Sequence, residues 1–310
     1  MKSAVVSGGD SVPQETSLSY RFASPFRQLV TDWPLQHRRG KTYHSILKDR
    51  IIELGPEIGL RDGWLKKILD HVISGFSKKG LATDYYGYHG LDHELEAAYF
   101  TLLAANGQTP DVRFTQQEIH YLFVAALLHN YDLLKQFDKP FPDGVERCIR
   151  NDNEIRRYIN GVGLNLELAI ALIHLAADSF RGDNAEQAKD RIERLFDGAG
   201  IPKNDAETRR RYEELGSFLS MTKRVGGYAL GDFERASDLA RRHAHSLGWH
   251  VSVVNERSAK YFSSLSQEKE VFDRVMSGIP EEYRRRFSDN VAAFNERWKE
   301  ESTLRLPTKR

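Results

Sequence analysis

The amino-acid sequence predicts an all-α protein. Through most of the chain, apolar residues return at three- and four-residue spacing, the period at which one face of a helix meets a core. Segments with that period open on Asp, Thr or Pro and close on Gly, residue types that satisfy or end a helix terminus. No run of alternating β-branched residues occurs, and there is no repeat of fixed period and no coiled-coil seam.

Residues 1–20 are rich in Ser, Gly and polar groups without a period and read as a disordered tail, so order is expected from about Tyr20. Between Phe22 and His44, aromatic residues are scattered among Pro25, Pro34 and the basic cluster Arg38, Arg39 and Lys41, which suggests short helices with a solvated basic face. The spacing of Ile46, Leu47, Ile51 and Leu54 predicts a helix over 43–54, stopped by Gly55-Pro56. Asp62 is placed to cap the next, over 64–79, whose stripe is Leu65, Ile68, Leu69, Val72, Ile73 and Phe76 and which carries His71 as a structural histidine. A helix is expected to open in the segment Tyr88-His89-Gly90-Leu91-Asp92-His93-Glu94 and to run to Gly107. Thr115 and Glu118 have capping-box spacing and predict a helix over 116–129 that is apolar nearly all round at its centre, hence buried. Further helices are expected over 145–159, 166–177, 188–196, 205–225, 232–247, 252–264, 266–276 and 280–300, with 301–310 frayed. Residues 21–300 then form a single domain.

Composition excludes several classes of function. The 45 basic residues nearly balance the 44 acidic ones, so no global field draws in nucleic acid or an anionic membrane. The runs Arg209-Arg210-Arg211 and Arg284-Arg285-Arg286 lie among acids and read as helix faces laced with ion pairs. One cysteine, Cys148, rules out an intrachain disulfide and a multi-cysteine zinc site. No stretch reaches the roughly 18 to 20 apolar residues of a membrane span, and the N-terminus lacks a secretory leader. A soluble cytoplasmic protein is expected. P-loop, dinucleotide-binding, His-Glu-x-x-His and Gly-x-Ser-x-Gly motifs are all absent.

Chemistry concentrates in two segments. The first offers His89 and His93 four residues apart, a spacing that brings side chains to one face of a helix. The second, Ala125-Ala126-Leu127-Leu128-His129-Asn130-Tyr131-Asp132, ends a buried run on a histidine, an amide and a carboxylate. Imidazole and carboxylate together suit a divalent cation, with Mg, Mn, Zn and Fe all admissible. Polar groups at the end of a buried helix are costly unless something binds them.

Over roughly residues 64–245 these segments resemble the HD-domain superfamily of metal-dependent phosphohydrolases, and Tyr88-His89-Gly90-Leu91-Asp92-His93 is similar to the corresponding motif of cyclic-nucleotide phosphodiesterases. The resemblance implies an HD-like helical bundle with additional N- and C-terminal helices. By the same resemblance His93 and His129 bind metal, and His89 donates a proton to the leaving oxygen. It further implies a small phosphorylated substrate, expected to be a nucleotide, attacked by metal-activated water.

The family's signature is a histidine followed by aspartate, whereas here His129 is followed by Asn130, a neutral and weaker ligand. Three readings stand at this point: the site is a non-catalytic sensor that binds a nucleotide or partner, Asp132 serves as the anionic ligand, or Asn130 is a substitution in an otherwise active enzyme. The family's closing aspartate is also missing from Met221-Thr222-Lys223-Arg224-Val225, which leaves Asp232 and Asp178 as candidates and His174 as an extra ligand. Lys135 and Arg181 are the candidate phosphate-binding cations.

Overall fold

The computed structural model describes residues 42–78, 87–133, 142–177 and 185–305. Among these residues are thirteen α-helices and no strand, so the all-α expectation holds. The expectations for the N-terminal tail and the basic cluster at 38–41, and those for Lys135, Asp178 and Arg181, lie outside the described residues.

The centre is built from two helices in which most side chains are buried. Helix α3 (Leu91–Asn106) and helix α4 (Gln116–Leu128) pack on each other, and α1 (Tyr43–Leu54) and α9 (Ala206–Leu230) pack on α3. Helix α4 begins as its sequence predicts: the Thr115 hydroxyl accepts from Glu118 N, and the Glu118 carboxylate accepts from Thr115 N at 2.7 Å. Helix α2 (Asp62–Ser77) starts two residues earlier than expected, with Asp62 in its first turn and Arg61 at the cap position.

The segment expected as one helix over 145–159 is two, α5 (Pro142–Asn151) and α6 (Asn153–Gly161). Asp152 makes the break. Its carboxylate accepts from Glu154 N and Ile155 N as a cap and also meets His71 Nε2 at 2.7 Å and Tyr131 Oη at 3.0 Å. Helix α7 (Leu166–Leu175) packs against α4, α8 (Ala185–Gly198) and α9.

The chain closes with α10 (Phe233–Ser246), α11 (Val254–Gln267), α12 (Lys269–Gly278) and α13 (Glu281–Arg305). The last helix runs through to Arg305, so 301–305 are helical instead of frayed. The C-terminal helices dock on the centre through bare backbone: a Cβ on Gly107 would overlap the carbonyl oxygen of Gly278, and one on Gly278 would overlap that of Ala104. Arg224, on α9, adds a bidentate pair with Glu268. One contiguous core joins all of this, from Tyr43 in α1 to Phe294 in α13. No single described helix is long and apolar enough to cross a membrane.

Candidate functional site

The end of α4 meets the start of α3, and the polar groups of both motifs converge there. Gly90 is extended (φ −133°, ψ 179°) and stands at the cap position of α3, so His89 precedes the helix and His93 lies in its first turn. The two imidazoles therefore do not share a helical face, contrary to what their spacing suggests, although their ring centroids are 6.5 Å apart. His129 is the C-cap residue of α4, and its ring centroid is 5.1 Å from that of His93. Tyr88 lines the same place, 4.9 Å from His93 and stacked on His243 of α10 at 4.4 Å.

Asn130 is held on both sides. Its Nδ2 donates to Glu94 Oε1 at 2.7 Å and lies 2.8 Å from His129 Nε2. The tautomer follows from the other ring nitrogen, because His129 Nδ1 is 2.7 Å from the Ala126 carbonyl, which can only accept, and lies 3.0 Å from Glu94 Oε2. Nδ1 must carry the proton, which leaves the Nε2 lone pair to accept from the Asn130 amide. His93 differs: its Nδ1 is buried without a hydrogen-bond partner among the described residues.

Electrostatics set the charge of this cluster. Burial, reinforced by the charges of neighbouring histidines and Lys223, pushes His93 well below the usual histidine range, and burial followed by Lys223 does the same to His129. Both imidazoles are neutral at pH 7. Burial raises Glu94 to about 8, against the hydrogen bonds from Asn130 and the charge of Lys223, which favour the carboxylate. Lys223 belongs to α9 and is half-buried, and its Nζ donates to the carbonyl of Ala176, the C-cap residue of α7, at 2.9 Å.

A second cluster lies on α5 and α7. Donor atoms of Asp143, Glu146 and His174 fall within 4.8 Å of one another, a grouping that could hold a metal ion. Glu146 is already engaged. Its Oε2 is 3.1 Å from His174 Nε2 and accepts from Arg191 Nη2 at 2.6 Å, while Arg150 bonds Oε1 at 2.7 Å. Although burial opposes it, the hydrogen bonds from His174, Arg150 and Arg191 bring Glu146 down to about 2. An ion here would share its carboxylate with Arg191.

The structure thus brings His89, His93, His129 and Asn130 together and seats the other described candidates, Asp132, His174 and Asp232, elsewhere. Asp132 packs its carboxylate against Gly144 of α5 and accepts from the Cys148 thiol at 3.6 Å, while His174 pairs with Glu146. Asp232 is exposed and caps α10, its carboxylate accepting from Arg235 N at 3.0 Å. Sequence reasoning passed over Glu94, Glu146, Asp143 and Lys223. A signal existed for Glu94, a carboxylate directly beside His93 in the first turn of the helix. For Lys223 it was a cation, next to Arg224, where the resemblance implies an acid. No protein-family model matches this chain, and no curated protein or solved structure matches it.

Proposed function

We propose that this chain is an HD-type domain whose histidine pocket receives a small phosphorylated molecule, a nucleotide being the expected class, without hydrolysing it through a metal. The observation that carries this reading is the position of the Asn130 amide, clamped between Glu94 and His129. A divalent cation does not fit that donor set. The His129 lone pair is directed at an N–H, Asn130 adds no negative charge, and the charge of Lys223 acts against positive charge on both histidines. Among the described residues, the groups that remain are the neutral imidazoles of His93 and His129 and the charge of Lys223 that acts on them. Those groups suit an anion.

The test is equilibrium dialysis of nucleoside mono-, di- and triphosphates and cyclic nucleotides, alongside metal content and turnover of a phosphodiester probe with Mn²⁺. Binding without turnover is expected, with the protein carrying no metal that His93→Ala removes. Stoichiometric metal lost in His93→Ala, together with turnover, overturns the reading.

One observation favours a second reading, the metal-dependent phosphohydrolase that the motifs suggest: the Nδ1 of His93 is buried with no hydrogen-bond partner among the described residues, a position that a ligand would satisfy. In that case His89 is the proton donor to the leaving group and the Asn130 amide turns its oxygen to the ion. Asn130→Asp then raises both metal content and turnover; under the receptor reading it raises neither to stoichiometric levels.

A further inference from the structure

We propose a second ligand site, at the opposite end of α4 from the histidine cluster, that takes a small phosphate monoester carrying a free hydroxyl. Two cavities of about 370 and 350 Å³ adjoin there, both lined by Gly161 at the end of α6. His120 of α4 lines the first of them and precedes His129 by about 14 Å along the helix axis. The site is therefore separate from the pocket described above and does not depend on how that pocket works.

Charge selects the anion. Among the described residues no carboxylate lines either cavity, whereas Arg61, Lys67 and Arg157 do. Arg157 is paired with Glu154 and lies over the Tyr158 ring, 5.6 Å from its centroid. Arg61 and Lys67 are exposed, and their side chains make no hydrogen bond or ion pair among the described residues. The neighbouring acid, Asp62, is bonded to Lys66 at 2.7 Å. Arg61 also holds the cap position of α2 without a side-chain cap, which leaves the first-turn amides of that helix to a ligand or to water. At Gly63, which lines the second cavity, a Cβ would meet nothing within 4 Å, so the approach to that end is open. The opposing negative end of α6 is already satisfied, because Tyr158 O accepts from Trp64 Nε1 at 2.9 Å and Asn160 O from Gly163 N at 3.0 Å.

His120 adds the requirement for a hydroxyl. It is only 7% exposed, and its Nδ1 lies 2.7 Å from the Gln116 carbonyl, which can only accept, so Nδ1 carries the proton. Burial, with the charge of Arg61, lowers its pKa from the usual histidine value, and the ring is neutral at pH 7. Nε2 is then a lone pair that bonds nothing among the described residues and is left to the cavity His120 lines. A fully ionised phosphate has no proton to give it; a hydroxyl on the same molecule does. Trp64, half-buried in the second cavity with its ring centroid 5.4 Å from that of His120, supplies an apolar wall for the carbon skeleton between the two ends.

The experiment titrates ribose 5-phosphate, inorganic phosphate and ribose into the full chain by isothermal calorimetry. Arg61→Gln, Lys67→Gln, His120→Ala and His93→Ala are compared with the wild type, with folding checked by circular dichroism and urea unfolding. Expected is saturable binding of ribose 5-phosphate, tighter than that of inorganic phosphate and absent for ribose. Arg61→Gln or Lys67→Gln weakens it roughly tenfold, His93→Ala leaves it unchanged, and His120→Ala brings it down to the affinity of inorganic phosphate. No saturable binding, or binding indifferent to both Arg61→Gln and Lys67→Gln, overturns the inference. Loss of binding in His93→Ala also overturns it and assigns the ligand to the histidine pocket. Capture of a single-stranded oligonucleotide by a protein that does not bind ribose 5-phosphate overturns it in favour of a nucleic-acid surface. Arg61 and Lys67 are exposed, so the comparison survives if the His120→Ala protein does not fold.

Discussion

At the residue scale, Glu94 and the two histidines beside it pull stability in opposite directions with pH. The folded-state value of Glu94 is raised, so folding takes up a proton and its contribution is lost as pH climbs from 4.5 towards about 8. His93 and His129 are lowered, so their contribution is lost as pH falls below the usual histidine value near 6.5. The pocket should therefore be most favourable near pH 6.5, with stability declining from there to pH 8 by up to about 1.4 kcal/mol per pH unit. Urea midpoints measured across this range should show the decline in the wild type and its loss in Glu94→Gln. A flat profile in the wild type would mean that Glu94 is ionised throughout. Of this site the sequence displayed the histidines, whose short-range spacing survives in one dimension. It did not display that Asn130 answers to Glu94, 36 positions away, or that Lys223 arrives from another helix. Those pairings exist only once α3, α4 and α9 are packed.

At the element scale, Asp152 shows why boundaries were harder to read than helices. Apolar residues keep helical spacing through Val145, Cys148, Ile155 and Ile159, so periodicity alone predicts one helix. The chain instead turns at Asp152, because that carboxylate satisfies two backbone donors of α6 while also meeting His71 of α2 and Tyr131 beyond α4. A cap that also receives two side-chain bonds should be worth more than the ~1 kcal/mol of an isolated one. We expect Asp152→Ala to cost roughly 2–3 kcal/mol in urea unfolding, with Asp152→Asn recovering most of the cap but less of the bond to His71. A loss below about 0.5 kcal/mol would show that the break is held by other contacts. The capping box of Thr115 and Glu118 was legible because both partners are local; the further bonds of Asp152 are not.

For the whole molecule, helix content and a single core were legible because periodicity and length report burial directly. The additional helices were expected only as additions, yet α11 and α13 contribute Phe262, Leu265, Phe287 and Phe294 to the same core as α1 and α3. Backbone contact at Gly107 and Gly278 and the Arg224–Glu268 pair join the C-terminal helices to the centre. Calorimetry should accordingly record one unfolding transition for the whole chain, with van't Hoff and calorimetric enthalpies in agreement. Two resolved transitions would mean that the C-terminal helices unfold as a separate unit.

The bond from Lys223 to the carbonyl of Ala176 carries one more consequence. The same ammonium whose charge acts on His93 and His129 also closes the last turn of α7, where Ala176 N bonds Leu172 O and Ala177 N bonds His174 O. An anion that recruits Lys223 competes with that carbonyl, and the helix end loosens as the pocket fills. Occupancy would then be recorded as faster deuterium uptake at two amides that the anion does not touch, and the terminal turn of α7 becomes a built-in reporter.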